Sequence, residues 1–70
     1  MEKIKMFIEN EVGYPLKAQG DDSHAWYFEG NDPTIGLVEI KVTKEDLSVW
    51  YREQGNEDWY YTFDFELAKN

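Results

Sequence analysis

Residues Trp59–Leu67, WYYTFDFEL, alternate almost without error between two sides of an extended chain. Trp59, Tyr61, Phe63, Phe65 and Leu67 fall on one side, and Tyr60, Thr62, Asp64 and Glu66 on the other. A period of two in aromatic residues predicts a β-strand whose apolar side is buried. Four earlier segments read the same way. Tyr14–Gln19 is a short strand with Leu16 and Ala18 inward, and Pro15 at its start points to an edge position or a bend before the strand. His24–Glu29 turns Trp26 and Phe28 inward and Ala25, Tyr27 and Glu29 outward. Leu37–Thr43 places Val38, Ile40 and Val42 in, with Glu39, Lys41 and Thr43 out. Leu47–Glu53 places Leu47, Val49 and Tyr51 in, with Ser48, Trp50 and Arg52 out. Turn formers separate these strands: Gly20-Asp21-Asp22-Ser23, Gly30-Asn31-Asp32-Pro33-Thr34, Lys44-Glu45-Asp46, and Gln54–Asp58 with its Gly55-Asn56 pair.

The period changes at the N-terminus. In Glu2–Val12 the apolar positions Ile4, Phe7, Ile8 and Val12 recur at helical spacing, with Glu11 the one polar residue on that stripe. Lys5 and Glu9 are placed to pair one turn apart. Gly13 stands where a left-handed C-cap belongs, and Pro15 stops continuation. Three turns are marginal alone, so this helix must pack to persist.

Register follows from keeping like faces together. Val42–Leu47, Ile40–Val49 and Val38–Tyr51 pair across a four-residue loop. For the last hairpin, Tyr51–Tyr61, Val49–Phe63 and Leu47–Phe65 preserve the inner face, with Gly55-Asn56-Glu57 as an odd, bulged loop. A two-residue Gly55-Asn56 turn competes on turn chemistry, but it pairs Trp50 with Tyr61 and Tyr51 with Tyr60, which mixes the faces. Short connections make consecutive antiparallel strands neighbours. The expected fold is α+β: one domain over residues 1–70, with an N-terminal α-helix packed on one face of a four- to five-stranded antiparallel β-meander. Five strands span roughly 20 Å, whereas a helix covers roughly 10–12 Å. Either the sheet coils around the helix or part of the inner face stays open as a groove.

Composition narrows the function classes. The chain has 70 residues, no cysteine, one histidine, and an aromatic share of 17% that supplies core area in place of disulfides. His24 alone does not make a two-histidine zinc site. Fifteen acids against seven bases give a formal charge of −8, which argues against direct binding to nucleic acid or anionic lipid. Met1–Val12 is charged throughout and has no apolar core of a signal peptide, and no stretch is long enough to span a bilayer. The expectation is a soluble cytoplasmic protein.

No glycine-rich phosphate loop is present, since the five glycines are scattered. Asp22-Ser23-His24 is not a triad merely by adjacency, and Asp21–His24 lacks the spacing of a calcium loop. No catalytic residue, metal ligand or cofactor is therefore assigned, and enzymatic activity is the least favoured class. Two features point to binding. Trp50, Tyr60, Tyr27 and Arg52 project from the outer sheet face and have the composition of a protein-binding hot spot, although large cross-strand pairs also simply stabilise a sheet. Asp21 and Asp22 share one end of the sheet with Glu45 and Asp46, while Glu57 and Asp58 share the other with Asp32 and Glu53. These acids would attract a basic surface, although net charge also serves solubility. The expected function is a small, acidic, non-enzymatic interaction module that binds and inhibits or regulates a larger protein with a basic surface. The alternatives are a small-molecule or sugar-binding module that uses exposed aromatics, and a homodimeric structural protein.

Overall fold

The computed structural model describes residues 2–64. A helix α1 (Glu2–Val12) is followed by strands β1 (Leu16–Asp21), β2 (Ala25–Asp32), β3 (Gly36–Thr43), β4 (Ser48–Glu53) and β5 (Tyr60–Asp64). The strands form one antiparallel sheet in the order β1-β2-β3-β4-β5, which is the expected meander. The expected inward positions Phe65 and Leu67, the Leu47–Phe65 pair and the fraying at Ala68–Asn70 lie outside the described residues.

Helix α1 has the expected bounds, and its end is built as expected. Gly13 adopts φ 85°, and its N–H bonds to the Glu9 carbonyl at 2.9 Å. Glu9 also ties the helix to the sheet: its Oε2 accepts from the Leu16 backbone N–H at 2.6 Å and lies 3.8 Å from Lys5 Nζ. Ile8 is fully buried in one cluster with Leu16, Phe28, Ile40, Val42 and Val49. Ile4, Phe7 and Val12 pack around this cluster, and Phe7 meets Phe63 edge-on at 6.4 Å.

β1 is an edge strand, as Pro15 suggested. Its pairing with β2 slips between Ala18 and Gly20, and Ala18 is exposed rather than inward. β2 runs on through Gly30, which was expected to open a loop. A Cβ there would lie 2.7 Å from both Leu16 Cδ2 and Tyr14 Cε1, so the close approach of β1 requires glycine. Ala25 and Ser48, both assigned outward, are buried where the Thr43–Ser48 turn closes over the sheet end.

Two hairpin registers differ from expectation. β3 and β4 pair as Val42↔Val49, Ile40↔Tyr51 and Val38↔Glu53, displaced by two residues. The reason lies in the turn. Leu47 takes φ 58° and donates to the Thr43 carbonyl at 2.8 Å, so it belongs to the turn and not to the strand. The Asp46 carboxylate secures that turn by accepting from the Thr43 hydroxyl and from the Ser48 N–H. An even displacement preserves the faces, so Val38, Ile40, Val42, Val49 and Tyr51 keep their inward side.

β4 and β5 use both competing registers. Val49 pairs with Phe63 as expected, but Trp50 pairs with Tyr61 and Tyr51 with Tyr60. Thr62 is the extra residue between them, a bulge that keeps the inner-face pair at Val49 and shifts the later pairs by one. The turn itself is neither expected loop, since the Asn56 N–H bonds to the Glu53 carbonyl around Gln54-Gly55. The Thr62 hydroxyl donates to the Val49 carbonyl at 2.7 Å.

Candidate functional site

The bulge decides what the outer sheet face carries. Cross-strand partners Gly20, Tyr27, Lys41, Trp50 and Tyr61 form one rank across all five strands. The neighbouring rank is Lys17, Glu29, Glu39 and Arg52. Trp50 meets Tyr61 edge-on at 5.4 Å. Trp59 lies on this face as well, with Arg52 Cζ 4.3 Å and Lys41 Nζ 4.7 Å from its ring centroid. Cation–π contacts of this kind contribute about 0.5–1 kcal/mol each when exposed. Arg52 Nε donates to Glu39 Oε1 at 3.1 Å, so the guanidinium is held from two directions. The Trp50 Nε1–H is shielded and has no acceptor among the described residues, so packing rather than hydrogen bonding positions this ring.

Tyr60 is a correction. It was expected outward, beside Arg52, but the bulge places it with Tyr51 at 5.8 Å on the opposite face, half exposed. Trp59 and Tyr61, expected inward, take its place on the outer face. Tyr27 is where expected, but its hydroxyl donates to Asp22 Oδ2 at 2.9 Å, and that bond is the first cause raising its phenol above the ordinary value.

The two acidic ends differ in kind. At the first, the turns meet as expected: Lys44 Nζ sits 2.6 Å from Asp21 Oδ2, and the Lys44 N–H bonds to the His24 carbonyl. Asp22 Oδ1 accepts from the N–H groups of His24 and Ala25, at 2.8 and 2.9 Å. These bonds, then the one from Tyr27, hold its carboxyl below the usual range. Asp46 is likewise lowered, by Ser48 and then Thr43. Asp21, Asp22 and Asp46 are thus exposed but already engaged by groups of the same chain.

The second end is open. The β4–β5 loop forms a polar hollow lined by Glu53, Gln54, Gly55, Asn56, Glu57 and Asp58. Glu53, Glu57 and Asp58 are exposed, and no cation pairs with them among the described residues. The loop begins beside Arg52 and ends at Trp59, so this acidic corner adjoins the aromatic outer face. Asp32, the last residue of β2, lies at the same end, where its Oδ1 accepts from the Thr34 and Ile35 N–H groups of the β2–β3 turn.

The inner face also keeps an opening. A concavity of about 190 Å³ lies between the helix end and β3–β5. Of the two arrangements expected from a sheet wider than its helix, this is the one with part of the inner face open. Among the described residues, no cluster of three or more His, Asp or Glu side chains could hold a metal ion. No described helix is long and apolar enough to cross a membrane. The chain matches no protein-family model, no curated protein and no solved structure.

Proposed function

We propose that this chain is a non-enzymatic interaction module that binds, and by binding inhibits or regulates, a larger protein with a basic surface. The helix sets Ile8 into the inner-face cluster, and the outer face is left for the partner. One observation carries the reading: the aromatic group Trp50, Trp59 and Tyr61 adjoins a loop whose three carboxylates have no countercharge within the described residues. Half-exposed Tyr61, beside the partly buried Trp50 and Trp59, supplies the anchor area of a hot spot, and neighbouring uncompensated charge steers and orients the encounter. Arg52 and Lys41 serve this face by fixing the Trp59 ring. Glu57 and Asp58 provide the attraction, Tyr27 extends the aromatic rank, and Asp21 and Asp22 are reserved for the turn. The net charge of −8 makes nucleic acid itself a poor ligand and a nucleic-acid-binding protein a good one.

The test is affinity capture from the source cell, at low and high salt, with the native chain and with Glu57→Gln/Asp58→Asn and Trp59→Ala. A specific partner is expected to be retained at low salt, released at high salt, and lost or weakened with both variants. A complex indifferent to salt and to the charge variant would overturn the electrostatic reading.

A further inference from the structure

The inner-face concavity, on the side of the sheet away from Trp50 and Trp59, has a definite chemistry. Val38 and Ile40, both buried on β3, form its floor. Tyr51 and Phe63 continue it on β4 and β5, and Val12 and Tyr14 close it from the helix end. Ile35 stands at the mouth, 44% exposed. One carboxylate, that of Asp32, joins this apolar lining. Its Oδ1 is fixed by the N–H groups of Thr34 at 2.8 Å and Ile35 at 3.1 Å, and no cation pairs with it among the described residues. Tyr14 stands beside it. Burial first, then the charge of Asp32 and a hydrogen bond to its carboxylate, push the phenol up, so Asp32 has hydrogen-bond donors around it but no countercharge among the described residues.

Volume and charge together select a ligand class. An apolar cavity of about 150 Å³ lined by aliphatic and aromatic side chains stays dry and takes up benzene. The 190 Å³ here admits one six-membered ring and a short chain. A neutral ring would satisfy the walls but leave Asp32 without a countercharge. An anionic ring would meet Asp32 and a molecule of net charge −8. A protonated amine on a short arm satisfies both parts of the site.

We propose that the groove bounded by Val38, Ile40, Tyr51, Phe63 and Asp32 binds a small arylalkylamine, with its ring on the apolar floor and its ammonium at the Asp32 carboxylate. The site is independent of the outer-face interaction surface, and either can fail without the other.

Amide chemical-shift titration with three matched probes tests it: 2-phenylethylamine, 2-phenylethanol and phenylacetate. The amine should produce saturable shifts at Val38, Ile40, Tyr51 and Phe63. It should bind about fivefold or more tighter than the alcohol, as one partly shielded ion pair allows, with phenylacetate the weakest. Asp32→Asn keeps an oxygen for the turn but removes the charge, so it should level amine and alcohol while both still bind. Val12→Phe should fill the space and abolish both, in a chain whose dispersed spectrum shows that it is folded. Equal affinity of the native chain for amine and alcohol overturns the proposal. So do saturable shifts confined to the outer face, no saturable shift with any probe, or a preference that survives Asp32→Asn. The same amides shifting with protein concentration alone would assign the groove to a second copy of the chain, and overturn it too.

Discussion

Asp22 does with one side chain what several residues share elsewhere in the sheet. One oxygen holds the turn through two backbone N–H groups, and the other receives the Tyr27 hydroxyl. All three bonds favour the ionised carboxylate, so its folded pKa lies below the ordinary 3.8, and the stabilisation is present above that value. It is lost as pH falls through the lowered folded value. Tyr27 has the opposite sign: its phenol is raised above 10.0, so its contribution is present below that pH and lost in alkali above the raised value. Asp22→Asn is therefore expected to lower the urea midpoint at neutral pH. The gap from the native chain should begin to narrow below about pH 4 and close once the pH passes below the lowered folded value, where the native side chain also loses its charge. A gap that stays constant down to pH 2 would show that neutral capping, not charge, does the work. Gly30 acts through space alone. Gly30→Ala puts a methyl 2.7 Å from Leu16 and Tyr14 and should cost about 1–3 kcal/mol, read as a fall in urea midpoint at unchanged slope.

At the scale of elements, the β5 bulge is the feature on which both faces depend. Thr62→Val keeps the shape of that residue but removes its 2.7 Å bond to the Val49 carbonyl. A loss of about 0.5–1.5 kcal/mol is expected, and equilibrium unfolding measures it. The Trp50 and Tyr61 resonances should also broaden if the bulge begins to slip. The bulge also marks how far periodicity reads this chain. Helix bounds, strand number, meander order and the buried set Phe28, Val38, Ile40, Val42 and Val49 follow from alternation, because each reports a local face. Register is less legible, because it depends on turn geometry. Leu47 has a side chain suited to a strand yet sits at φ 58°, and nothing in its residue type signals that. At β5 both cues were visible: side-chain parity favoured one register, and Gly55-Asn56 favoured the other. One bulge joins the two registers, although the turn that closes the loop centres on Gln54-Gly55. The outer face follows from the bulge: relative to strict alternation Tyr60 and Tyr61 exchange faces, and Trp59 joins Arg52. Tyr27, Trp50 and Arg52 precede the bulge and kept their predicted face.

Across the whole molecule, charge acts in two directions that salt can separate. Fifteen acids against seven bases repel one another within extents of 27 × 24 × 19 Å. At about 0.01 M salt the Debye length is roughly 30 Å, so each charge feels the rest of the protein; at about 0.1 M it is roughly 10 Å, and only neighbours count. The favourable ion pairs Lys5–Glu9, Lys44–Asp21 and Arg52–Glu39 are all partly exposed, and pairs of that kind contribute between nothing and about 1 kcal/mol. Screening thus removes more repulsion than attraction, and the free chain should become more stable to heat and urea between these two salt levels. Binding to a basic partner through Glu53, Glu57 and Asp58 should weaken over the same range, because the attraction being screened there is between molecules. The two trends must diverge for the proposed function to hold. If salt destabilised the chain as it weakened the complex, release at high salt would reflect loss of the fold. Melting curves recorded beside the binding isotherms at each salt concentration distinguish the cases. Glu57→Gln/Asp58→Asn should move both quantities the way salt does, stabilising the free chain while loosening its complex.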